Sequence, residues 1–396
     1  MARTPEKILY IGEQTSGWGT EASADGSGLS QLVGAEEISE IPAGIEQIEV
    51  AYQDGRIYPK ANEVGAPGLS EIRCKFPLFG LGTAAGDGSA PPSADVLDIL
   101  FGHILQTVAT LSGEGATTGS SASNLLLDTD AFNAGDLLAY CPGSGSPTQW
   151  VRVSADNGGG DYDVTPNMSP VAVDAGTVYG SRYWTPPATG LVGGNPLTLC
   201  LVDSSVGTYT GLNTRVSAFS LEGAIGQRIM ADVTFQIDSL YEDASAKTAL
   251  PAATQAPAVT PVKCLGSPVA FGGTYYDTAS FNFDLGLQTA PVKATSSLTG
   301  RAGHEVIRIA PQLTFQPLRT NAIRNLQRAA TTGEAWLQLG AGILSGTLLN
   351  TLAAYMGLAQ VTAVEGQDDE GHARQQVTLM AKDPGASGTF FRLARA

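Results

Sequence analysis

The sequence predicts a mainly β protein with a few short helices. Short segments with alternating apolar and polar residues recur along the chain, as expected for strands that bury one face. Between these segments lie turn residues, with 48 Gly and 22 Pro among 396 residues. Charged residues make up only 15% and hydrophobic residues 43% of the sequence. A chain of this length has room for two or three domains, each with its own core.

The first predicted elements are a strand at 8–11 and a strand or strand pair at 38–52, with a Gly-, Ser- and Ala-rich arm between them. Residues 53–68 carry Gly and Pro at short intervals, which predicts a long loop. Alternation resumes at 69–79, where Ile72, Cys74, Phe76 and Leu78 form the apolar set. A helix is predicted over 93–105, with Ser93 as its cap and Asp95 in its first turn.

Residues 112–190 differ in character, because short strands alternate with polar loops, and we interpret them as a small inserted β-module. The outer fold returns at 215–241, where Val233, Phe235 and Ile237 alternate with polar residues. A Pro-, Ala- and Thr-rich segment then predicts an extended linker.

The second half of the chain follows the same plan, with predicted strands at 280–285, 304–316 and 373–382 and a helix at 320–330. Strand, loop, strand, helix and strand pair thus occur twice in the same order, although residue identity between the halves is poor. The predicted boundaries are 1–111 with 191–243 for a first domain, 112–190 for the insert, 244–268 for the linker and 269–396 for a second domain.

The polar residues of two strands are candidates for the lining of a wide lumen, because closing a barrel from several subunits removes exposed strand edges. They are Asp232, Thr234, Gln236 and Asp238 in the first half, and Ser280, Asn282 and Asp284 in the second. The apolar alternates would then pack on the two helices. The outer surface of a monomeric β-sandwich explains the same pattern equally well.

Four segments carry a resemblance to a known family: 7–20 with its Gly17–Thr20 stretch, the strand–loop–strand at 45–79, Val233–Tyr241 with its Pro/Ala tail, and Phe281–Gly286. In pattern and order they resemble the tail tube proteins, or major tail proteins, of siphophages, which have long non-contractile tails. The resemblance covers most of the chain except 112–190 and includes no invariant motif.

This resemblance implies two tandem tail-tube-like antiparallel β-sandwich units, each flanked by a helix, that contribute strands to an oligomeric β-barrel. Double-domain members form trimeric rings with pseudo-sixfold symmetry, and a ring of six is the alternative. Stacked rings form a conduit for genome DNA, which passes through without specific binding at ejection. The implied partners are further copies of the chain and the tail tip, tape measure and tail terminator proteins. The implied location is the tail of the virion, after assembly in the host cytoplasm.

The arm at 12–34 and the loop at 53–68 are then candidates for contacts between rings, through Trp18, Asp54, Arg56, Tyr58 and Lys60. The alternative is that both segments are surface loops.

The charge of the chain suits such a conduit. The formal net charge is −16, and residues 1–71 hold twelve acidic residues against four basic ones. An acidic surface cannot bind phosphates by releasing their counterions, so an acidic lumen lets DNA slide. Solubility alone is the simpler explanation of this charge.

We expect neither catalysis nor a cofactor, because the sequence has no nucleotide-binding, zinc-protease or serine-hydrolase motif. His103, His304 and His372 are isolated in sequence, and His103 is expected to be buried at the end of the first helix. The four cysteines are spaced as buried free thiols. We expect no signal peptide and no membrane span.

Two features of the insert leave other functions open. The acidic turn at 156–163 suits a Ca²⁺ ligand set, although a hairpin turn is the better interpretation. Aromatic residues can stack on sugars, although core packing is their commoner use; they are Trp150, Tyr162, Tyr179, Tyr183 and Trp184. A carbohydrate-binding or adhesive β-protein is therefore the alternative function, and a polysaccharide-degrading enzyme is a third.

Overall fold

The computed structural model describes residues 7–16, 19–39, 45–48, 63–67, 70–81, 83–84, 95–105, 107–115, 120–141, 148–168, 176–187, 194–204, 207–243, 247–251, 261–264, 269–293, 301–340, 343–344, 348–369, 372–385 and 389–396. Within these ranges the chain is predominantly β, and its strand pairs are antiparallel.

The elements follow one another along the chain in three groups. The first group comprises β1 (Lys7–Glu13), β2 (Ser30–Gln31), β3 (Ile45–Ile48), β4 (Glu63–Pro67), β5 (Ser70–Pro77), β6 (Thr83–Ala84), α1 (Val96–Leu105) and β7 (Thr107–Leu111). The second comprises β8 (Glu114–Gly115), β9 (Asn124–Leu126), β10 (Leu137–Cys141), β11 (Gln149–Gly158), β12 (Asp161–Thr165), β13 (Thr177–Tyr179), β14 (Ser181–Thr185), β15 (Leu197–Asp203), β16 (Gly207–Ala224), β17 (Met230–Ile237) and β18 (Ser239–Glu242). The third comprises β19 (Val269–Phe271), β20 (Thr274–Tyr276), β21 (Thr278–Asp284), β22 (Gln288–Lys293), β23 (Arg301–Arg308), β24 (Gln312–Pro317), α2 (Asn321–Arg328), β25 (Thr332–Leu339), β26 (Ile343–Leu344), β27 (Leu348–Leu349), β28 (Leu352–Asp369), β29 (His372–Ala381) and β30 (Phe391–Arg395).

The large sheet contains the same strand order twice. In the first half the hydrogen-bonded order is β1–β15–β16–β17–β5. In the second half it is β19–β25–β28–β29–β24. A hairpin precedes the last-named strand of each array in the chain: β3–β4 precedes β5, and β22–β23 precedes β24. Corresponding strands therefore occupy corresponding places both along the chain and across the sheet.

The two long strands, β16 and β28, have the same construction. Each has 18 residues and a register shift in its middle, between Val216 and Ala218 in β16 and between Val361 and Ala363 in β28. A bulge of this kind bends a strand and increases its twist. Before the bulge, β16 pairs with β15 and β18, and β28 pairs with β25 and β30. Beyond it, each long strand pairs with the next strand in the chain, β17 or β29.

The two halves are joined by strand pairing and by a shared core. Residues 220–224 of β16 pair with residues 280–284 of β21. One continuous cluster of buried apolar side chains draws on both halves, including Phe219 and Val233 from the first, and Phe283, Leu313 and Leu379 from the second. The halves are therefore not separate globules with independent cores.

Helix α1 connects the two halves through buried charges. Asp95 begins the helix, because its Oδ1 accepts hydrogen bonds from the backbone N–H groups of Leu97 at 2.9 Å and Asp98 at 3.1 Å. Ser93, the cap predicted from sequence, lies outside the described residues. Arg395, in the last strand and fully buried, contacts Asp95 at 2.8 Å and Asp98 at 2.6 Å. The guanidinium lowers the pKa of Asp95 despite its burial, whereas burial and the neighbouring Asp95 raise the pKa of Asp98.

Helix α2 lies on the surface and agrees with the prediction for 320–330. Thr320 caps it by accepting a hydrogen bond from Ile323 N at 3.3 Å. Ile323 is buried and Leu326 is half-buried, and the other side chains of the helix are exposed.

A second sheet, in the order β8–β13–β10–β11–β12–β9, forms a compact module that docks on the second half. The Trp150 backbone and the Gln338 side chain exchange two hydrogen bonds, of 3.1 and 3.0 Å. Trp150 Nε1 also donates to Thr351 Oγ1 at 3.0 Å, and Arg152 pairs with Glu334 at 2.5 Å. These polar contacts set the position of the module on β25 and on Thr351, the residue before β28.

Four segments differ from the sequence-based expectations. Residues 63–67, expected in a loop, form β4, and the segment 304–316, expected as one strand, is divided between β23 and β24 around Pro311. Strand β14, expected in the insert, pairs with β7 and β30 in the large sheet. Val262 and Cys264, expected in a linker, are buried in the shared core. The hydrogen-bond partners of β14, of Val262 and of β24 are distant in sequence, so local composition did not indicate them.

We expect the substitution Arg395→Met to lower the free energy of unfolding by about 3–5 kcal/mol, because it leaves Asp95 and Asp98 buried without their cation. Urea denaturation at pH 7 measures this change. The control Arg308→Met removes an exposed arginine and should stay within about 0.5 kcal/mol of the parent chain. Equal effects of the two substitutions would contradict the role given to Arg395.

Candidate functional site: one polar face shared by both halves

One face of the large sheet carries polar side chains across the junction between the halves, and we call it the polar face. Directly paired residues of neighbouring strands point to the same side of a sheet. The register places five such residues in one row, running from β5 through β17, β16 and β21 to β24: Lys75, Asp232, Ser220, Asp284 and Gln312. The row continues through Met380 of β29 to Gln360 of β28. The opposite face of these strands is the shared apolar core.

Five of the seven predicted lumen residues lie on this face with exposed or half-exposed side chains: Asp232, Thr234, Ser280, Asn282 and Asp284. Strand β16 lies between the two predicted sets and brings them together. Gln236 and Asp238 differ from the other five, since they are buried in the single chain, at 9% and 4% exposure. Thr289 of the β22–β23 hairpin donates a hydrogen bond to Gln236 Oε1 at 3.1 Å, so that hairpin covers the end of β17.

Strand β16 also contributes to the polar face, which was not predicted. Ser220 and Glu222 lie on the polar face, and Phe219 and Leu221 lie in the core. This alternation is present in the sequence of 218–222, although the first half of β16 is largely buried and shows no clear period.

In the first half the polar face carries a network of ion pairs. Arg73 Nε donates to Asp232 Oδ1 at 2.8 Å. Lys75 Nζ donates to Glu222 Oε1 at 2.8 Å and lies 3.9 Å from Asp232 Oδ2. The hydrogen bond and the charge of Glu222 raise the pKa of Lys75. Because Arg73 is 61% exposed, water screens much of this network.

In the second half the corresponding positions carry amides. Glu222 is four residues beyond Ala218 at the first bulge, and Gln367 is four residues beyond Ala363 at the second. Gln316 Nε2 donates to Gln367 Oε1 at 2.8 Å, in the place of the lysine–glutamate contact. Gln367 also donates to Gln376 Oε1. The geometry is thus repeated while the charge is not.

His103 supports the bend of β16 from the core side. Its Nδ1 lies 2.8 Å from the carbonyl oxygen of Asn195, which can only accept, so Nδ1 carries the proton. Its Nε2 accepts from the backbone N–H of Val216 at the bulge, at 3.4 Å. Burial and the nearby guanidinium of Arg215 lower the pKa of His103 to about 3. The neutral ring therefore has a structural role, as the sequence analysis expected.

Each end of the polar face has a strand edge without a partner in the described part of the chain. At one end, residues 36–39 run beside β5, with hydrogen bonds between Glu36 and Lys75 and from Ser39 N to Arg73 O. This segment occupies the place next to β5 that β21 occupies next to β24. At the other end, β28 beyond Val361 pairs with β29 on one side only. Such edges favour pairing with another chain.

Several other predicted features fall elsewhere. The proposed inter-ring residues Trp18, Asp54, Arg56, Tyr58 and Lys60 lie outside the described residues. The segment 156–163 is a hairpin turn, with Gly158, Gly159 and Gly160 at positive φ. Among the described residues, no three His, Cys, Asp or Glu side chains cluster as metal ligands.

The five aromatic residues of the insert and β14 are all buried, at 7% exposure or less, and pack in cores. The four cysteines are buried free thiols, as predicted, and burial raises the pKa of Cys74 and of Cys200 to about 12. Neither group offers a reactive or accessible site.

The sequence matches no protein-family model and no curated protein. Within the described ranges, neither helix has the length and apolar character needed to cross a bilayer.

The double substitution Lys75→Gln and Glu222→Gln reproduces the amide pair of the second half in the first. We expect it to change the free energy of unfolding by less than about 1 kcal/mol, because a half-exposed ion pair contributes little and the site accommodates amides. Urea denaturation measures the change, and Lys75→Gln alone, which leaves Glu222 and Asp232 without the lysine, should cost more. A loss above about 2 kcal/mol for the double variant would contradict the equivalence of the two sites.

His103 should make stability depend on pH, because its folded pKa of about 3 is below the unfolded value of 6.5. The contribution is fully present above pH 6.5 and is lost as the pH falls toward 3. Relative to His103→Gln, the parent chain should lose about 2–3 kcal/mol of unfolding free energy over the two pH units below 6.5. Urea denaturation of both proteins at several pH values measures this, and a constant difference between them would refute it.

Proposed function

We propose that this chain is the ring-forming subunit of a bacteriophage tail tube, with the polar face as the lining of the bore. The observation that carries the proposal is the continuous polar face, to which each half of the chain contributes four neighbouring segments. These are the 36–39 segment, β5, β17 and β16 from the first half, and β21, β24, β29 and β28 from the second.

The junction between the halves supports ring formation by edge pairing. Inside the chain, the outer half of β16 pairs with β21, a strand of the second half. The outer half of β28 is the equivalent edge of the second unit, and the 36–39 segment is the equivalent of β21 in the first unit. A contact between β28 of one copy and 36–39 of the next would repeat the internal junction between molecules. Head-to-tail contacts of this kind close into rings.

In a ring of three chains, seven strands and the 36–39 segment from each chain would form a barrel of 24 neighbouring segments with pseudo-sixfold symmetry. Barrels of about 16–18 strands already enclose an aqueous channel. With strands about 4.8 Å apart, 24 segments give a backbone diameter of roughly 40 Å before strand tilt widens it. A ring of six chains, the alternative, would double the strand count and give a much wider bore.

The charge on the polar face supports a bore that does not retain DNA. Among its described charged residues, the acids outnumber the bases: Glu71, Glu222, Asp232, Asp284 and Glu365 against Arg73, Lys75 and Arg374. Each of these bases has an oxygen partner within the chain. Arg73 and Lys75 pair with carboxylates, and Arg374 Nη1 donates to the Gln316 carbonyl oxygen at 3.5 Å. Few free cations are then left to bind phosphate.

The remaining parts of the proposal follow from the tube. Its partners are further copies in the same and adjacent rings, with the tail tip, tape measure and tail terminator proteins at the ends of and within the tube. Its location is the virion tail, after assembly in the host cytoplasm, and its role is structural and not enzymatic. The carbohydrate-binding alternative loses its main support, because the aromatic side chains that suggested sugar stacking are buried.

Negative-stain microscopy and native mass measurement of the purified chain test the proposal. We expect annular particles or hollow filaments, and isolated rings with the mass of three chains. A mass of six chains would replace the trimer by the hexamer and leave the tube in place. A monomer at all concentrations up to the millimolar range, or a compact oligomer without a central channel, would refute the proposal.

A further inference from the structure

Three arginines and two glutamines border a cavity between α2 and β28, and we call this surface the arginine groove. The cavity has a volume of about 290 Å³, and its lining comprises Arg319, Arg324, Gln327, Arg328, Val364, Gly366 and Gln375. The three arginines are exposed. The groove lies on the face of β28 opposite the polar face, because Gly366 stands between Glu365 and Gln367, which belong to the polar face.

The positive charge of the arginine groove has no counterpart in the described part of the chain. The described residues that line the cavity include no Asp or Glu. None of the three guanidinium groups pairs with a described carboxylate, whereas other arginines of the chain do: Arg73, Arg152, Arg182, Arg228 and Arg395. Arg324 and Arg328 are also four residues apart on α2, where like charges repel. The groove is therefore a basic site without neutralisation in a chain of net charge −16.

The equivalent place in the first half is neutralised by carboxylates of the chain itself. Helix α1 covers β16 just beyond its bulge, where Phe101 packs on Phe219, as α2 covers β28 beside Val364. In the first half the buried Arg395 pairs with two carboxylates at the start of α1. Helix α2 contains no acidic residue. An anion that neutralises the arginine groove therefore has to come from outside the described residues.

Gln375 supplies a buried hydrogen-bond donor to the groove. The residue is 3% exposed, and its Oε1 accepts a hydrogen bond from Thr320 N at 3.3 Å. This bond fixes the orientation of the amide, and its Nε2 donates to no described residue. Because Gln375 lines the cavity, an acceptor bound in the groove would satisfy this donor.

The donors of the groove favour phosphoryl groups as the ligand. Guanidinium groups donate in parallel pairs that match the oxygens of phosphate. A phosphoryl group has three acceptor oxygens and up to two negative charges, so it can accept from several donors at once. A water molecule occupies about 30 Å³ in the liquid, so a cavity of about 290 Å³ has room for more than one such group.

We propose that the arginine groove binds a small anion with two adjoining phosphoryl groups, as in a diphosphate. The guanidinium groups of Arg319, Arg324 and Arg328 neutralise its charge, and Gln375 Nε2 donates to one of its oxygens. The site goes beyond the proposed function, because it lies on the face of β28 opposite the polar face and needs no ring to form. It would be the one place where this acidic chain binds phosphate through described residues.

Isothermal titration calorimetry of the full-length chain with inorganic pyrophosphate tests the proposal. At low ionic strength we expect saturable binding of one pyrophosphate per chain, with a Kd below about 1 mM. The double variant Arg324→Gln and Arg328→Gln should bind at least tenfold more weakly. The control Arg308→Gln removes an exposed arginine outside the groove and should stay within twofold of the parent chain. Thermal unfolding of each variant confirms that the chain is folded.

The variant Gly366→Trp tests the cavity while keeping the charge. A Cβ at Gly366 meets no atom within 4 Å in the chain itself, so the fold should tolerate the new side chain, which then occupies the groove. We expect at least tenfold weaker binding of pyrophosphate although all three arginines remain. Binding that persists in both Gly366→Trp and the double glutamine variant would overturn the proposal. So would the lack of saturable binding to the parent chain up to about 10 mM pyrophosphate.

Two competitors test the chemical class of the anion. Citrate, a polycarboxylate, should displace pyrophosphate only at higher concentration, and tighter binding of citrate would overturn the phosphoryl assignment. A short DNA duplex should not displace pyrophosphate at about 0.15 M salt, because the net charge of the chain repels it. Displacement by DNA at an equal phosphate concentration would overturn the assignment to a small anion. None of these results depends on ring formation, so their failure leaves the tube proposal standing.

Discussion

The structure depends on the requirement that a strand in a sheet satisfy its backbone hydrogen bonds along both edges. Strand β16 meets this requirement with four partners, since β15 and β18 flank its first half and β17 and β21 flank its second. The bulge at Val216 and Ala218 allows one strand to serve both sets of neighbours, because it bends the strand between them. His103 accepts the Val216 N–H at that bulge, so the bend is supported by a neutral ring in the core.

Strand β28 has the same length as β16 and a bulge at the same position. Before the bulge β25 and β30 flank it, as β15 and β18 flank β16, but beyond the bulge it has one described partner fewer. The two long strands differ because β21 pairs with β16 beyond the bulge, whereas β28 has no equivalent partner among the described residues. In the proposed ring, the edge of the next copy would fill this place.

The sequence predicted the elements whose side chains alternate between water and core. Strands β5, β17 and β21 each bury one face, so their period of two is visible in Cys74, Val233 and Phe283 and their polar neighbours. Helix α2 agrees with the helix predicted at 320–330, and Thr320 caps it. Five of the seven predicted lumen residues share one face because the same alternation places them there.

The remaining features are not encoded locally. The first half of β16 is buried on both faces and shows no alternation, so Ser220 and Glu222 were not assigned to the polar face. The β3–β4 hairpin closes over many intervening residues, and its loop composition conceals β4. Gln236 was assigned to the lumen by its alternation alone, whereas the β22–β23 hairpin, more than 50 residues later, covers it. Pairing partners at such separations depend on tertiary packing, which periodicity does not report.

The two halves show which properties of the polar face are required by the fold and which are free to vary. Both halves place a hydrogen-bonded side-chain pair at the same position across the sheet, a lysine with a glutamate in one and two glutamines in the other. Both halves thus keep a hydrogen-bonded pair at that position, whereas only one keeps the charge. This is expected on a solvent-exposed face, where an ion pair contributes little to stability. In a threefold ring, charged and neutral sectors would alternate around the bore, and a passing polyanion would meet no continuous cationic track. The exposed arginines of α2, Arg324 and Arg328, lie beside Val364 and Gly366 and not on the polar face.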